Sequence, residues 1–181
     1  MKVLYSFLLC LIAGTQLNAQ INKVSLQASG LTCSMCSKAV KTTLEEVPFV
    51  EKVQVDIKSQ QYNLTFKNDM AVDLDALAKA VEDAGFSVAA LKVTAHVDNL
   101  TVAKDEHLKI GDHYFHFLNA KQGQLNGSTT FTLVDKSFVP AKEYKKWSSA
   151  SKAACVQTGR AADCCTSDGV AAQARVYHAI L

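Results

Sequence analysis

Cys33 and Cys36 stand two residues apart in the run Gly30-Leu31-Thr32-Cys33-Ser34-Met35-Cys36. At the start of a helix this spacing points both sulfurs at one ion, and the exposed N–H groups and helix dipole there stabilise thiolates. Thiolates select copper(I), zinc(II) and similar thiophilic ions over calcium or magnesium. Two sulfurs suit a soft ion of low coordination number, and they leave zinc(II) short of the four ligands of a closed structural site. The same pair can also be read as a dithiol redox protein, an oxidoreductase or sensor that cycles through a Cys33–Cys36 disulfide. No tryptophan precedes Cys33 and the only prolines are Pro48 and Pro140, which argues against a thioredoxin-like site. Met35 is read as the variable residue between the cysteines.

The remaining chemistry-bearing residues lie further along. Cys155, Cys164 and Cys165 suggest a structural disulfide from Cys155 to one of the other two, with a second thiolate site as the sharper alternative. His107, His113 and His116 look like a ligand set on paper. On a strand, however, His113 shares a face with Phe115 and Phe117 while His116 lies on the other with Tyr114 and Leu118, so each is expected to be an ordinary exposed or hydrogen-bonded histidine. Lys142, Lys145 and Lys146 beside Tyr144 and Trp147 read as a solvated helix face. Asn63, Asn99 and Asn126 fit the glycosylation acceptor pattern, and Asn63 falls inside an expected strand. Phosphate-binding glycine loops, nucleophile elbows and H-E-x-x-H helices are absent from the sequence.

The cysteine pair needs elements to hold it. Val24, Leu26 and Ala28 alternate as in a half-buried strand that Gly30 ends. Ala39, Val40, Leu44 and Val47 share one face of a helix that stops before Pro48. Val53, Val55 and Ile57, then Tyr62, Leu64 and Phe66, alternate on either side of a short polar turn and predict a β-hairpin. Asp73 caps a second helix carrying Leu74, Leu77, Ala78 and Val81 on one face, Gly85 fits its C-terminal turn, and Phe86 to Val93 makes a last strand. The order β-α-β-β-α-β predicts a ferredoxin-like unit with both helices on one face of a four-stranded antiparallel sheet.

Over about Asn22 to Val93 the chain resembles the heavy-metal-associated domain family of copper chaperones, metal-transporting P-type ATPase tails and the periplasmic mercuric-ion-binding protein. The resemblance rests on Gly30-Leu-Thr-Cys-Ser-Met-Cys36 in its β-α-β-β-α-β frame and on Asp83-Ala84-Gly85-Phe86. It implies that Cys33 and Cys36 bind the metal, with copper(I) foremost and mercury(II), silver(I), zinc(II) or cadmium(II) as alternatives. It also implies a metal-transporting ATPase or efflux component as partner. Leu31 stands where methionine is usual, an apolar exchange that keeps the packing, and Phe86 matches the aromatic residue often found beside the metal loop.

Beyond this unit, short strands are expected at Leu100 to Ala103, Tyr114 to Asn119, Thr129 to Val134 and Ala174 to Ile180. Turns are expected at Ile110-Gly111-Asp112 and Asn126-Gly127. One helix is expected over Ala141 to Trp147 after Pro140, and loop or short helix from Ser148 to Gly169. The fold class is therefore α+β, with a ferredoxin-like domain at residues 20–94 and a small β-rich accessory domain with one helix at 95–181. Residues 1–19 read as a secretory signal peptide, with Lys2 ahead of the apolar run Val3 to Ala13 and cleavage after Ala19. That run is too short to span a bilayer, so the processed chain is expected to be periplasmic or extracellular with no membrane span.

The chain has 181 residues, 49% hydrophobic and 20% charged, with a formal charge of +2. That composition excludes a disordered or collagen-like protein, and the balanced charge excludes nucleic acid as a partner recognised by long-range field. The expected function is an exported carrier of a soft metal ion and not an enzyme.

Overall fold

A computed structural model describes residues 20–181, apart from the side chain of Cys164. The expected signal peptide at 1–19 lies outside the described residues. Among those residues, no helix is long and apolar enough to cross a membrane.

The first six elements follow the expected order. They are β1 (Gln20–Ser29), α1 (Ser34–Glu45), β2 (Val50–Asp56), β3 (Gln61–Phe66), α2 (Leu74–Asp83) and β4 (Ser87–Val102). Strands β2, β3, β1 and β4 lie side by side in that order, all antiparallel. Of the expected apolar faces, Val40, Leu44 and Val47 and, on α2, Leu74, Leu77, Ala78 and Val81 are buried, whereas Ala39 and Ile57 are exposed. The Asp73 carboxylate accepts from the backbone N–H groups of Asp75 and Ala76, satisfying two donors that the first turn of α2 leaves open. Gly85, at φ 85°, turns the chain out of α2 into β4.

The remaining elements are β5 (Glu106–Ile110), β6 (His113–Phe117), β7 (Gly123–Leu133), α3 (Ala141–Ser148), α4 (Cys155–Thr158), α5 (Asp163–Thr166) and β8 (Val176–Ile180). All eight strands form one sheet in the order β2-β3-β1-β4-β7-β8-β6-β5. Two expectations change here. The strand expected to end at Val93 continues to Val102 and absorbs the separate strand expected at Leu100, so the 94/95 boundary falls inside β4. Asn126-Gly127 is not a hairpin turn but lies within β7, opposite a register shift between Val97 and Leu100. The expected helix is α3, and the stretch expected as loop or short helix holds α4 and α5, single turns of four residues.

The sheet buries both faces in its second half. One face carries Phe115, Phe117, Phe131, Tyr177 and Ala179, which join a single apolar core with Val24, Leu26, Leu44 and Leu77 of the first half. The opposite face carries Leu118, Val134 and Val176, covered by Cys155 and Val156 of α4 and Cys165 of α5.

Candidate metal centre

Gly30 ends β1 with φ at 85°, a left-handed conformation that costs glycine little. A Cβ at Gly30 would meet the Phe86 ring at 3.7 Å, so Phe86 packs beside the loop as expected. Leu31 is partly buried against the core and anchors the near end of the loop. At the far end, the buried Tyr62 hydroxyl of β3 lies 3.0 Å from Ser37 Oγ, tying the first turn of α1 to the sheet.

Between these anchors Cys33 stands at the N-cap of α1, and its sulfur accepts from the Cys36 backbone N–H at 3.4 Å. The two sulfurs are 2.9 Å apart. That is well beyond the ~2.05 Å of a disulfide bond, and both are free thiols. The hydrogen bond from Cys33 is the main cause that lowers the Cys36 thiol from its ordinary value of 9.0, followed by the backbone at Thr32. Cys33 is exposed and Cys36 half-exposed, while Met35 is 69% exposed and turned to solvent. Leu31, Thr32, Ser34, Ser37, Ile57 and Gln60 line a shallow groove around Cys33. Chemically this is an open pair of sulfur donors. A two-coordinate linear ion with bonds of ~2.3 Å needs its sulfurs about 4.6 Å apart, a separation that side-chain rotation at an exposed loop can supply.

The histidines fall differently from expectation. His113 and His116 do lie on opposite faces of β6, but His107 pairs directly with His116 across β5 and β6, and their rings stack at 4.2 Å. Both are buried, and Cys155 lies against them. The expectation of three unrelated histidines therefore holds for His113 and is corrected for the other two. The signal that would have joined them was the strand Glu106–Ile110, which was not anticipated; with β5 in place, the register sets His107 beside His116. Burial, then repulsion from His107 and His178, pushes His116 down to about 4, so its ring is neutral at neutral pH. Of the two bridges expected from Cys155, to Cys164 or to Cys165, the first involves a side chain outside the described residues.

A family model described as "Heavy-metal-associated domain" matches residues 25–87. The mercuric transport protein periplasmic component of Pseudomonas aeruginosa is 35% identical over 86 residues, 48% of this chain and 93% of that protein. The copper chaperone CopZ of Bacillus subtilis strain 168 is 35% identical over 65 residues, 36% of this chain and 93% of that protein. A copper-transporting ATPase of Helicobacter pylori is 32% identical over 65 residues, which make up 9% of its length. Among solved structures, oxidized MerP from Ralstonia metallidurans CH34 is 34% identical with a TM-score of 0.35, covering 39% of this chain and 96% of that one.

Proposed function

Because the chain belongs, through residues 25–87, to the heavy-metal-associated domain family, we propose that it is an exported carrier that holds a thiophilic metal ion, copper(I) foremost, between Cys33 and Cys36. The observation that carries this reading is the pair of free sulfurs 2.9 Å apart on the exposed end of α1. Two donors on an open surface leave the ion accessible to a third thiolate, so it can pass to a partner without first being released into water. A buried four-ligand site would hold its ion as structure instead. Export rests on the Lys2 and Val3 to Ala13 leader. A metal-transporting ATPase or efflux component is the partner that would give or take the ion.

The test is a titration of the reduced chain with copper(I) against a chromophoric competitor, repeated with Cys33→Ser and Cys36→Ser together. One tightly held ion is expected in the parent protein and its loss in the double variant. Equal binding by both proteins would refute the assignment. Parallel titrations with mercury(II), silver(I), zinc(II) and cadmium(II) rank the cargo, since two sulfurs alone do not choose among thiophilic ions. Disulfide reductase activity without metal binding would replace the carrier by a dithiol redox protein.

A further inference from the structure

Three histidines stand in a row across the second half of the sheet. The register pairs His107 of β5 with His116 of β6, and His116 with His178 of β8. Directly paired residues share a face, so all three rings lie on the side covered by α4 and α5. Cys155, the first residue of α4, lies over this row with Sγ 3.6 Å from His107 Nε2 and 3.6 Å from His116 Nδ1. We propose that His107, His116 and Cys155 form a second metal site, separate from the Cys33–Cys36 pair, for a borderline ion of the zinc(II) class.

The distances are those of neighbouring ligands on one ion. Tetrahedral zinc with bonds of ~2.0–2.1 Å to nitrogen and ~2.3 Å to sulfur separates neighbouring sulfur and nitrogen ligands by about 3.6 Å. The three donor atoms lie within 4.8 Å of one another. A thiol reaches both nitrogens only by donating to one ring and accepting from the other, whereas one ion takes a lone pair from both nitrogens and the sulfur together.

The surroundings are those of a prepared site. Asp168 Oδ2 lies 2.7 Å from His107 Nδ1, which fixes the proton on that nitrogen and turns the lone pair of Nε2 toward Cys155. A carboxylate behind a ligating imidazole in this way orients the ring and raises its basicity. On His116 the other nitrogen, Nε2, is buried without a hydrogen-bond partner, with Asp105 Oδ1 3.4 Å away but poorly aligned. His178 Nε2 is likewise buried and unpartnered, on a ring 5.4 Å from that of His116. Such atoms are uncommon in a folded interior. Two imidazoles and a thiolate are donors that zinc(II) accepts and that calcium and magnesium do not. The Cys155–His107–Asp168 line also resembles a nucleophile with its base and orienting carboxylate. Cys155 is 0% exposed, however, and offers a substrate no approach.

The test uses the full chain carrying Cys33→Ser and Cys36→Ser, reduced and stripped with chelator, and titrated with cobalt(II) as a spectroscopic probe. One cobalt per chain is expected, with a thiolate-to-cobalt charge-transfer band and the ligand-field absorption of tetrahedral geometry, both bleached by zinc(II). Adding Cys155→Ser abolishes the charge-transfer band. Asp168→Asn keeps the band and weakens binding about 10–100-fold, as loss of an orienting carboxylate does. Circular dichroism checks folding, and Asp168→Asn with the band itself carries the test should Cys155→Ser unfold. Failure of cobalt to bind the Cys33/Cys36 variant would overturn the site, and so would binding indifferent to Cys155→Ser. A Cys155 disulfide found by mass spectrometry in the exported chain would also overturn it, and so would rapid alkylation of Cys155 that zinc does not slow. Cobalt bound here in a chain that fails the copper(I) test would refute the carrier reading and leave this site standing.

Discussion

Cys33 serves two purposes at once, as the residue that caps α1 and as one of the pair that faces solvent. Sulfur is a weak acceptor, so this cap relies on the chain entering α1 at a fixed angle, and Gly30 sets that angle at φ 85°. Alanine there meets no steric block, because its Cβ would lie in ordinary contact with Phe86 at 3.7 Å. The cost is in the backbone. An L-residue held in the left-handed region is disfavoured by about 1–2 kcal/mol. Gly30→Ala is therefore expected to lower the melting temperature by roughly 2–4 °C per kcal/mol. It should also weaken copper(I) binding more than a stability-matched core variant such as Val53→Ala. Thermal unfolding beside the competitor titration checks both. Equal copper affinity in the two variants would show that the loop conformation does not matter to the pair.

β4 is the element least legible in the sequence and the one that decides the architecture. The helices α1 and α2 and the β2–β3 hairpin were readable because each carries its own period and its own stop signal, such as Asp73 before α2 and Gly85 after it. β4 hides its continuation. The expected strands stop at Val93 and resume at Leu100, but Asn99 adopts φ 48° as a bulge, and its N–H and Oδ1 bond to the side chain of Asn126 on β7. Two asparagines thus hold together a strand pair that local reading splits into three pieces. The Cys33–Cys36 pair was legible because its two sulfurs are neighbours in sequence. His107, His116 and Cys155 were not, since only the β5–β6 register and the placement of α4 unite them. The shared strand also makes the two halves unequal. Residues 20–94 retain Val24, Leu26, Leu44, Leu64, Leu77, Leu91 and Val93 of the core and all pairing of β1 with Ser87 to Thr94. Residues 95–181 lose Leu91 and Val93, the register partners of Leu133 and Phe131. The fragment 20–94 is expected to unfold cooperatively in urea, with an open β4 edge that favours self-association, and the fragment 95–181 is expected not to fold. A cooperative transition in 95–181 alone would show that the second half does not need β4.

At the scale of the whole molecule, a chain of charges fastens the two halves across their common core. Arg175, just before β8, gives a two-pronged contact to Asp75 in the first turn of α2, with Nε 2.8 Å from Oδ2 and Nη2 3.0 Å from Oδ1. Its Nη1 lies 3.3 Å from Asp135 Oδ1, and its guanidinium lies 4.2 Å over the Tyr177 ring. Asp135 is 7% exposed and accepts from the His178 backbone N–H at 2.8 Å and lies 2.7 Å from His178 Nδ1. Burial pushes the Asp135 carboxyl up, but the His178 hydrogen bonds and the charges of His178 and Arg175 outweigh it and hold the group below its ordinary value of 3.8. In the acid range the folded chain therefore binds fewer protons at this site than the unfolded chain. The stability it contributes is complete above the ordinary carboxylate value and is lost as pH falls through the lower folded value. Asp135→Asn removes the charge that Arg175 and His178 face inside the protein, and is expected to cost about 3–5 kcal/mol at neutral pH, the scale for breaking a buried ion pair from one side. The gap between parent and variant should close as pH drops below about 4, because the parent carboxyl then becomes protonated and loses the same interaction. Urea unfolding of both proteins at neutral pH and through the acid range measures that gap. A difference that stays constant with pH would mean that Asp135 acts by shape alone, and that the Arg175 network is not what joins α2 to the second half.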